Sequence, residues 1–272
     1  MTDPETTRTS GGQLARMRKR GIYLLPNLMT TAALFSGFYS IVAAIDGNFV
    51  MACMAHYVAM LFDGLDGRLA RLTQTESDFG KEYDSLSDMV AFGLAPAIVV
   101  YQWGLIELAD YGWMWGKLGW LAAFFYAVAA AMRLARFNTY HGIVDKAYFE
   151  GLPSPPAASL IIGLVWLATE LGWSGGLALT AAFVTTSSAG ALMVSKFVYS
   201  SFKEIKMTER ISFSYALTLP LMLIMIFVNP PLVLCALAFL YALSGPALWV
   251  WRRYKRIERR AASAEQAGRR KT

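Results

Sequence analysis

In the stretch Asp63-Gly64-Leu65-Asp66-Gly67-Arg68-Leu69-Ala70-Arg71, followed after eight residues by Gly80-Lys81-Glu82-Tyr83-Asp84-Ser85-Leu86-Ser87-Asp88, four carboxylates stand at the edge of long apolar runs. Asp63 and Asp66 are three apart, and Asp84 and Asp88 are four apart. On helices, either spacing puts the pair on one face. Two such helices facing each other gather four carboxylates into one small site. Four negative charges share a low-dielectric site only if they are protonated or neutralised. Oxygen-only ligands favour hard cations, Mg2+ or Mn2+. One Asp near the end of a membrane helix is often only a cap or a solvated end. Four at these spacings, with glycines between them, are not explained that way, because carboxylates at membrane depth are costly.

The rest of the chain supplies the membrane. Of its 272 residues 56% are hydrophobic, and the mean hydropathy is +0.41. Runs of spanning length recur along it, beyond what an ordinary soluble domain shows. The expected fold is all-α, a polytopic helical bundle of about eight spans: 28–46, 49–70, 86–106, 118–137, 155–171, 176–197, 212–229 and 231–251. The breaks fall at Asp46-Gly47-Asn48, Gly172 to Gly176 and Asn229-Pro230-Pro231, all turn-forming stretches. The chain divides into a cytoplasmic arm over 1–27, a membrane-embedded catalytic domain over 28–251 and a basic tail over 252–272.

Charge gives the orientation. With both termini on one side, 24 of the 25 Lys and Arg residues fall on that side and only Lys117 on the other. The positive-inside rule makes the loaded side cytoplasmic, and the acidic stretch lies there too. The expectation is a multi-pass protein of the inner (cytoplasmic) membrane with its site facing the cytoplasm. The net charge of +6 then has a topological explanation, and no nucleic-acid partner is needed. Cys53 and Cys235 fall inside spans, as buried thiols rather than a disulfide framework. The first 20 residues are polar or basic, which is not the pattern of a cleaved signal peptide.

Along the chain, residues 1–10 look disordered. Residues 12–25 mix basic and apolar side chains, as an interfacial helix or a plain positive-inside anchor would. Pro26 suits a first helical turn and Asn27 a cap. His56 is seven residues before Asp63 and is read as a packed side chain. Gly64 and Gly67 let a phosphate or another backbone come close. Arg71 is placed to meet an anion. Trp103, Trp113, Trp115 and Trp120 belong to an outer loop as an interfacial belt. Arg133 and Arg136, three apart at the inner boundary and followed by Asn138, are by spacing alone two topology-setting arginines. His141 is a surface residue of the loop with Asp145 and Lys146.

The acidic stretch matches D-x2-D-G-x2-A-R-x8-G-x3-D-x3-D at Asp63, Asp66, Gly67, Ala70, Arg71, Gly80, Asp84 and Asp88. In this it resembles the CDP-alcohol phosphatidyltransferases. The motif is long and strictly spaced but covers only 26 residues. R-x2-R-F-N from Arg133 to Asn138, then Gly151-Leu152-Pro153-Ser154-Pro155, and Met193 to Lys203 resemble the phosphatidylserine synthases of that family. The resemblance thus runs from about Pro26 to Lys203.

The resemblance implies metal ligands at Asp63, Asp66 and Asp84, with Asp88 as the base and a share in the metal. It implies contacts to the CDP-lipid from Gly67, Arg71 and Ser77, with Asn27 and Thr30 bordering the nucleotide. Ala70 and Gly80 are motif positions, and Arg133, Arg136 and Asn138 are candidates for the acceptor site. The implied substrates are CDP-diacylglycerol and L-serine among membrane lipids, the implied products phosphatidylserine and CMP, and the implied state a homodimer. Another acceptor, such as glycerol 3-phosphate or an inositol phosphate, remains open. A divalent-cation transporter is the nearest different class, but the apolar spans offer no acidic relay toward the outer face. A lipid-binding scaffold does not explain a full set of metal-type acids.

Overall fold

The structure is a computed structural model that describes residues 6–73, 77–139, 148–200 and 213–269. Helix α1 (Thr6–Ile45) turns at Gly47, whose φ is 76°, into α2 (Phe49–Thr73). A broken third stretch comes after it: α3 (Asp78–Asp88), a π-helical turn over Met89–Leu94, α4 (Ala95–Trp103) and a 3-10 turn over Leu105–Tyr111. Next come α5 (Trp113–Thr139), strand β1 (Tyr148–Glu150), α6 (Ser154–Glu170) and α7 (Gly175–Val194). Strand β2 (Val198–Ser200), α8 (Phe213–Val228) and α9 (Pro230–Arg269) complete the described chain. The fold is helical, as expected, apart from the antiparallel pair β1–β2, which aligns Glu150 with Val198 and Tyr148 with Ser200.

Helix α6 is the centre of the bundle. Its residues Ala157, Ala158, Ile161, Ile162, Val165 and Ala168 have no exposed surface. It packs against α2, α4, α7 and α9, so it has no lipid face to speak of, and its apolar composition all round follows from that. Small residues set the spacing. A methyl group on Gly163 would come within 2.9 Å of the Cys235 Cα on α9, so the two helices meet almost backbone to backbone. On the outside, Phe35 and Phe38 of α1, Leu61 of α2 and Phe124 of α5 are exposed, which suits a lipid solvent rather than water.

Six helical stretches among the described residues are long and apolar enough to cross a membrane: Leu25–Ile45, Phe49–Thr73, Asp78–Tyr111, Trp113–Thr139, Gly175–Val194 and Pro230–Lys255. All six coincide with expected spans. The other two expected spans, 155–171 and 212–229, are helices α6 and α8, of 17 and 16 residues.

Several local expectations change. Helix α1 runs unbroken from Thr6, so the arm expected to be disordered over 1–10 is helical from that residue, and Pro26 lies inside the helix rather than in its first turn. The third stretch begins at Asp78 and not near 86, because Ser77 caps α3 there; Asp84 and Asp88 therefore sit in its second and third turns. The tryptophan-rich outer loop is mostly helix. Trp103 ends α4, while Trp113, Trp115 and Trp120 occupy the first turns of α5. His56 is fully buried, edge-on to the Tyr57 and Phe92 rings, as a packed side chain should be. Both cysteines are free thiols. Residues 1–5, Glu76, His141, Asp145, Lys146 and 201–203 lie outside the described residues.

Candidate active site

The four aspartates come together where α2 and α3 face each other. One carboxylate oxygen from each of Asp63, Asp66 and Asp84 lies within 4.8 Å of the others. Asp88, one turn beyond Asp84, brings its carboxyl within hydrogen-bond reach of Asp63. Asp66 and Asp84 meet in the same way. Helix spacing accounts for the pairs on each element, and only the facing of two elements makes a cluster of four.

The supports come from α1. Thr30, itself 4% exposed, donates its hydroxyl to Asp66 Oδ2 at 2.8 Å and lies 3.2 Å from the Pro26 carbonyl. Ser87, between the two aspartates of α3, donates to the Thr30 carbonyl at 3.2 Å. Tyr83 and Thr31 pair their hydroxyls at 3.0 Å. Thus α1 is bolted to both acidic helices, and Thr30 is drawn into the cluster itself.

Asp84 Oδ1 is buried and has no hydrogen-bond partner. A buried carboxylate oxygen without a donor is costly. So are carboxylates in direct contact with one another. Both features fit one bound cation: a metal–oxygen bond is about 2.1 Å for Mg2+, so oxygens around one ion stand roughly 3–4.2 Å apart. The residues present therefore fit a hard divalent metal.

The remaining sequence candidates fall around this cluster. Methyl groups placed on Gly64 or Gly67 would meet nothing within 4 Å, so open space and not a second backbone adjoins this face of α2. Ala70 is half-buried one turn beyond Asp66. Arg71 is exposed and bonds through Nε to the Gly67 carbonyl at 2.8 Å, lying along the glycine face. Ser77 accepts from the Gly80 amide at 3.0 Å. A methyl on Gly80 would crowd Ser77 Oγ at 3.1 Å and stand 3.5 Å from Asn27 Oδ1, which brings Asn27, Ser77 and Gly80 together at the start of α3.

A second wall is basic. It is formed by the end of α5, strand β1 and the start of α6. Arg133 donates to Ser154 Oγ at 3.0 Å, interacts electrostatically with Asp88, and keeps a buried Nε without a partner. Arg136 forms an ion pair with Glu150. Asn138 donates to Ser85 Oγ on α3 at 2.9 Å, joining the two walls. The Gly151-Leu152 stretch anchors the basic wall: the Gly151 amide bonds to the Phe197 carbonyl at 2.8 Å and that of Leu152 to the Leu192 carbonyl at 3.0 Å. Gly151 has a φ of 80°, and a side chain there would strike the Met193 carbonyl, so glycine is required. Ser85, Ser87, Tyr83 and Glu150 were not singled out from sequence. Each is a common residue whose partner is remote in the chain, and no local pattern marks it.

A membrane bundle whose facing helices hold clustered carboxylates beside an open glycine face is the architecture of an enzyme for phosphate-bearing lipids. The CDP-alcohol phosphatidyltransferase family model matches residues 23–201, and the chain belongs to that family. It is 36% identical over 245 residues to a CDP-diacylglycerol–serine O-phosphatidyltransferase of Helicobacter pylori, an alignment spanning 89% of this chain and 98% of that protein. A Mycobacterium leprae protein of the same name is 36% identical over 160 residues, covering 57% of this chain and 51% of its own. An archaetidylserine synthase of Methanothermobacter thermautotrophicus is 39% identical over 139 residues, covering 50% and 55%.

Proposed function

We infer that this chain transfers the phosphatidyl group of CDP-diacylglycerol to the hydroxyl of L-serine, giving phosphatidylserine and CMP. The observation that carries the reading is the aspartate cluster, with an orphaned carboxylate oxygen and a glycine face left open beside it. The near full-length similarity to the H. pylori enzyme supports serine as the acceptor.

In this reading Asp63, Asp66 and Asp84 hold the divalent cation, Mg2+ or Mn2+, with Asp88 at its edge. A cation held there would neutralise the diphosphate of the donor and draw charge from the phosphorus. The open space along Gly64 and Gly67 receives the diphosphate, Arg71 lies beside it, and Asn27, Thr30 and Ser77 border the nucleotide. Asp88 takes the proton from the serine hydroxyl, since a neutral alcohol is a weak nucleophile. The serine oxygen bonds to the phosphorus that carries diacylglycerol, the bond from that phosphorus to the bridging oxygen breaks, and CMP leaves with the electron pair. On the acceptor side Arg133 has an unused donor near Asp88, suited to the serine carboxylate. Asn138 holds the acceptor wall to α3, and Arg136 is already paired with Glu150.

The reading includes eight crossings. Helix α6, at 17 residues, is about 25 Å long and sits at the short end of the spanning range. Helix α8 is one residue shorter. An even number of crossings puts both termini on the aspartate side, with 24 of 25 basic residues, so the site faces the cytoplasm of the inner membrane. The reading takes the enzyme as a homodimer, as the family resemblance implies.

The test is CMP release by purified protein from CDP-diacylglycerol with serine, glycerol 3-phosphate or inositol phosphate in turn. Serine should support turnover at least tenfold above the others. Turnover with another alcohol alone overturns the acceptor, and none with any overturns the enzyme. In intact cells, a single cysteine at position 112 should react with an impermeant thiol reagent and one at position 262 should not. The reverse pattern overturns the orientation.

A further inference from the structure

Of the carbonyls that face a proline where a helical donor would stand, two are met by a tyrosine from another element. The residue four beyond Phe92 is Pro96, and the residue four beyond Ala242 is Pro246. Proline has no N–H, so neither carbonyl can take its α-helical bond. In both places a tyrosine from another element fills the gap. Tyr126 Oη donates to the Phe92 carbonyl at 2.8 Å, and Tyr199 Oη donates to the Ala242 carbonyl at 3.0 Å. Burial holds the Tyr199 phenol up at about 12, so it stays a donor.

The two pairs differ in what lies next to them. The Tyr199 pair ties β2 to α9 and involves neither acidic helix. The Tyr126 pair sits in the π-helical turn over Met89–Leu94, which begins at the residue after Asp88. In that turn the Ala95 amide bonds five residues back, to the Val90 carbonyl. One extra residue in a turn rotates the helix before it by about 100° relative to the helix after it. The helix after it is α4, fixed by the buried residues Ala95, Ala97, Val99 and Val100. The direction of Asp84 and Asp88 is therefore set by this turn. It is clamped on two sides: a methyl on Gly37 of α1 would lie 2.8 Å from the Ala91 Cα, and Tyr126, with no exposed surface, closes it from α5. The same proline stands five residues beyond Ala91, so a π-type bond to that carbonyl is missing too. The fully buried His56 lies against the Ala91 backbone, outside strict hydrogen-bond geometry. Tyr126 is thus the one strong donor that the turn draws from outside its own helix among the described residues.

We propose that Tyr126 is a positioning residue: by donating to the carbonyl that Pro96 leaves open, it holds the turn that aims Asp84 and Asp88 at Asp63 and Asp66. This rests on the reading of the aspartates as the metal and base site.

The test compares Tyr126→Phe with Tyr199→Phe in the full-length protein in lipid nanodiscs. Mn2+ binding is measured by calorimetry, unfolding by Tm, and turnover by serine-dependent CMP release at saturating Mn2+. Both variants lose one hydroxyl and the same kind of bond, so both should lower Tm. Tyr126→Phe should weaken Mn2+ binding and lower kcat about tenfold each, the scale of one lost hydrogen bond. Tyr199→Phe should leave Mn2+ binding within about twofold, because its bond ties β2 to α9 and involves neither acidic helix. Equal Mn2+ affinities in the two variants would overturn the proposal. If Tyr126→Phe does not fold, Tyr126→Phe/Pro96→Ala supplies an N–H at position 96 and is measured in its place. An α-helical bond from that N–H to the Phe92 carbonyl draws the turn out of its π form and no longer holds the aim of Asp84 and Asp88, so Mn2+ should still bind about tenfold more weakly than to wild type, and wild-type affinity there would overturn the proposal as well. Wild-type protein that binds Mn2+ but releases no CMP with serine would sink the functional reading alone, while the Mn2+ comparison still decides Tyr126.

Discussion

The acidic and basic walls of the site are built on opposite plans. On the acidic wall, Asp63, Asp66, Asp84 and Asp88 press carboxyl against carboxyl, and Asp84 keeps a buried oxygen with no donor. On the basic wall, Arg136 is neutralised by Glu150, Asn138 is spent on Ser85, and Arg133 is partly spent on Ser154. A wall that satisfies itself is a scaffold with one spare donor. A wall that repels itself is incomplete without a cation. In the proposed reading the difference separates residues that bind and react from residues that hold them in place, and it ranks the effects of removing each.

The largest effect should come from taking away what the acidic wall lacks. Protein stripped by a chelator should release CMP only at background and recover with Mg2+ or Mn2+, because unneutralised carboxylates repel the diphosphate. Asp63→Asn should lose metal and donor binding together, read by calorimetry with Mn2+ and with CDP-diacylglycerol. Full turnover in chelator would erase the contrast between the walls.

Next in size is Asp88→Asn. Asparagine keeps the shape but is an ineffective base, so turnover should fall about 10²–10⁴-fold. Donor affinity should change little, since the other three aspartates remain. A variant with near-normal kcat would move the base elsewhere.

Arg133→Ala should cost the acceptor. A charge-assisted hydrogen bond is worth about 1.5–3 kcal/mol, so KM for serine should rise roughly 10- to 150-fold, and KM for the donor far less. The mirror experiment is Arg71→Ala, where the exposed guanidinium along the glycine face should raise the donor KM about tenfold and spare serine. If each change affected the other substrate, the two walls would have to exchange roles.

The smallest effect should be at Arg136→Gln. Its pair with Glu150 is exposed, and such pairs contribute about 0–1 kcal/mol. Steady-state constants should stay within about fivefold. A larger rise in serine KM would add Arg136 to the acceptor site.

Much of this is legible in the amino-acid sequence alone. Apolar run length marks six stretches that are also helices long enough to span, because burial of the backbone in lipid leaves helices as the economical solution. The spacing of Asp63, Asp66, Asp84 and Asp88 puts each pair on one helix face, since 3.6-residue periodicity is a local property. The turn at Gly47 is local as well, tied to its own few neighbours. Other features depend on elements far apart in the sequence. That Thr30 supports Asp66, that Asn138 reaches Ser85, and that Arg136 is spent on Glu150 while Arg133 keeps a free donor are all pairings across 14 to 53 residues. No periodicity encodes them. The π-helical turn after Asp88 is the sharpest case. Pro96 in the sequence says only that a carbonyl will want a donor, and it takes the packing of α5 against that turn to make Tyr126 the residue that provides it.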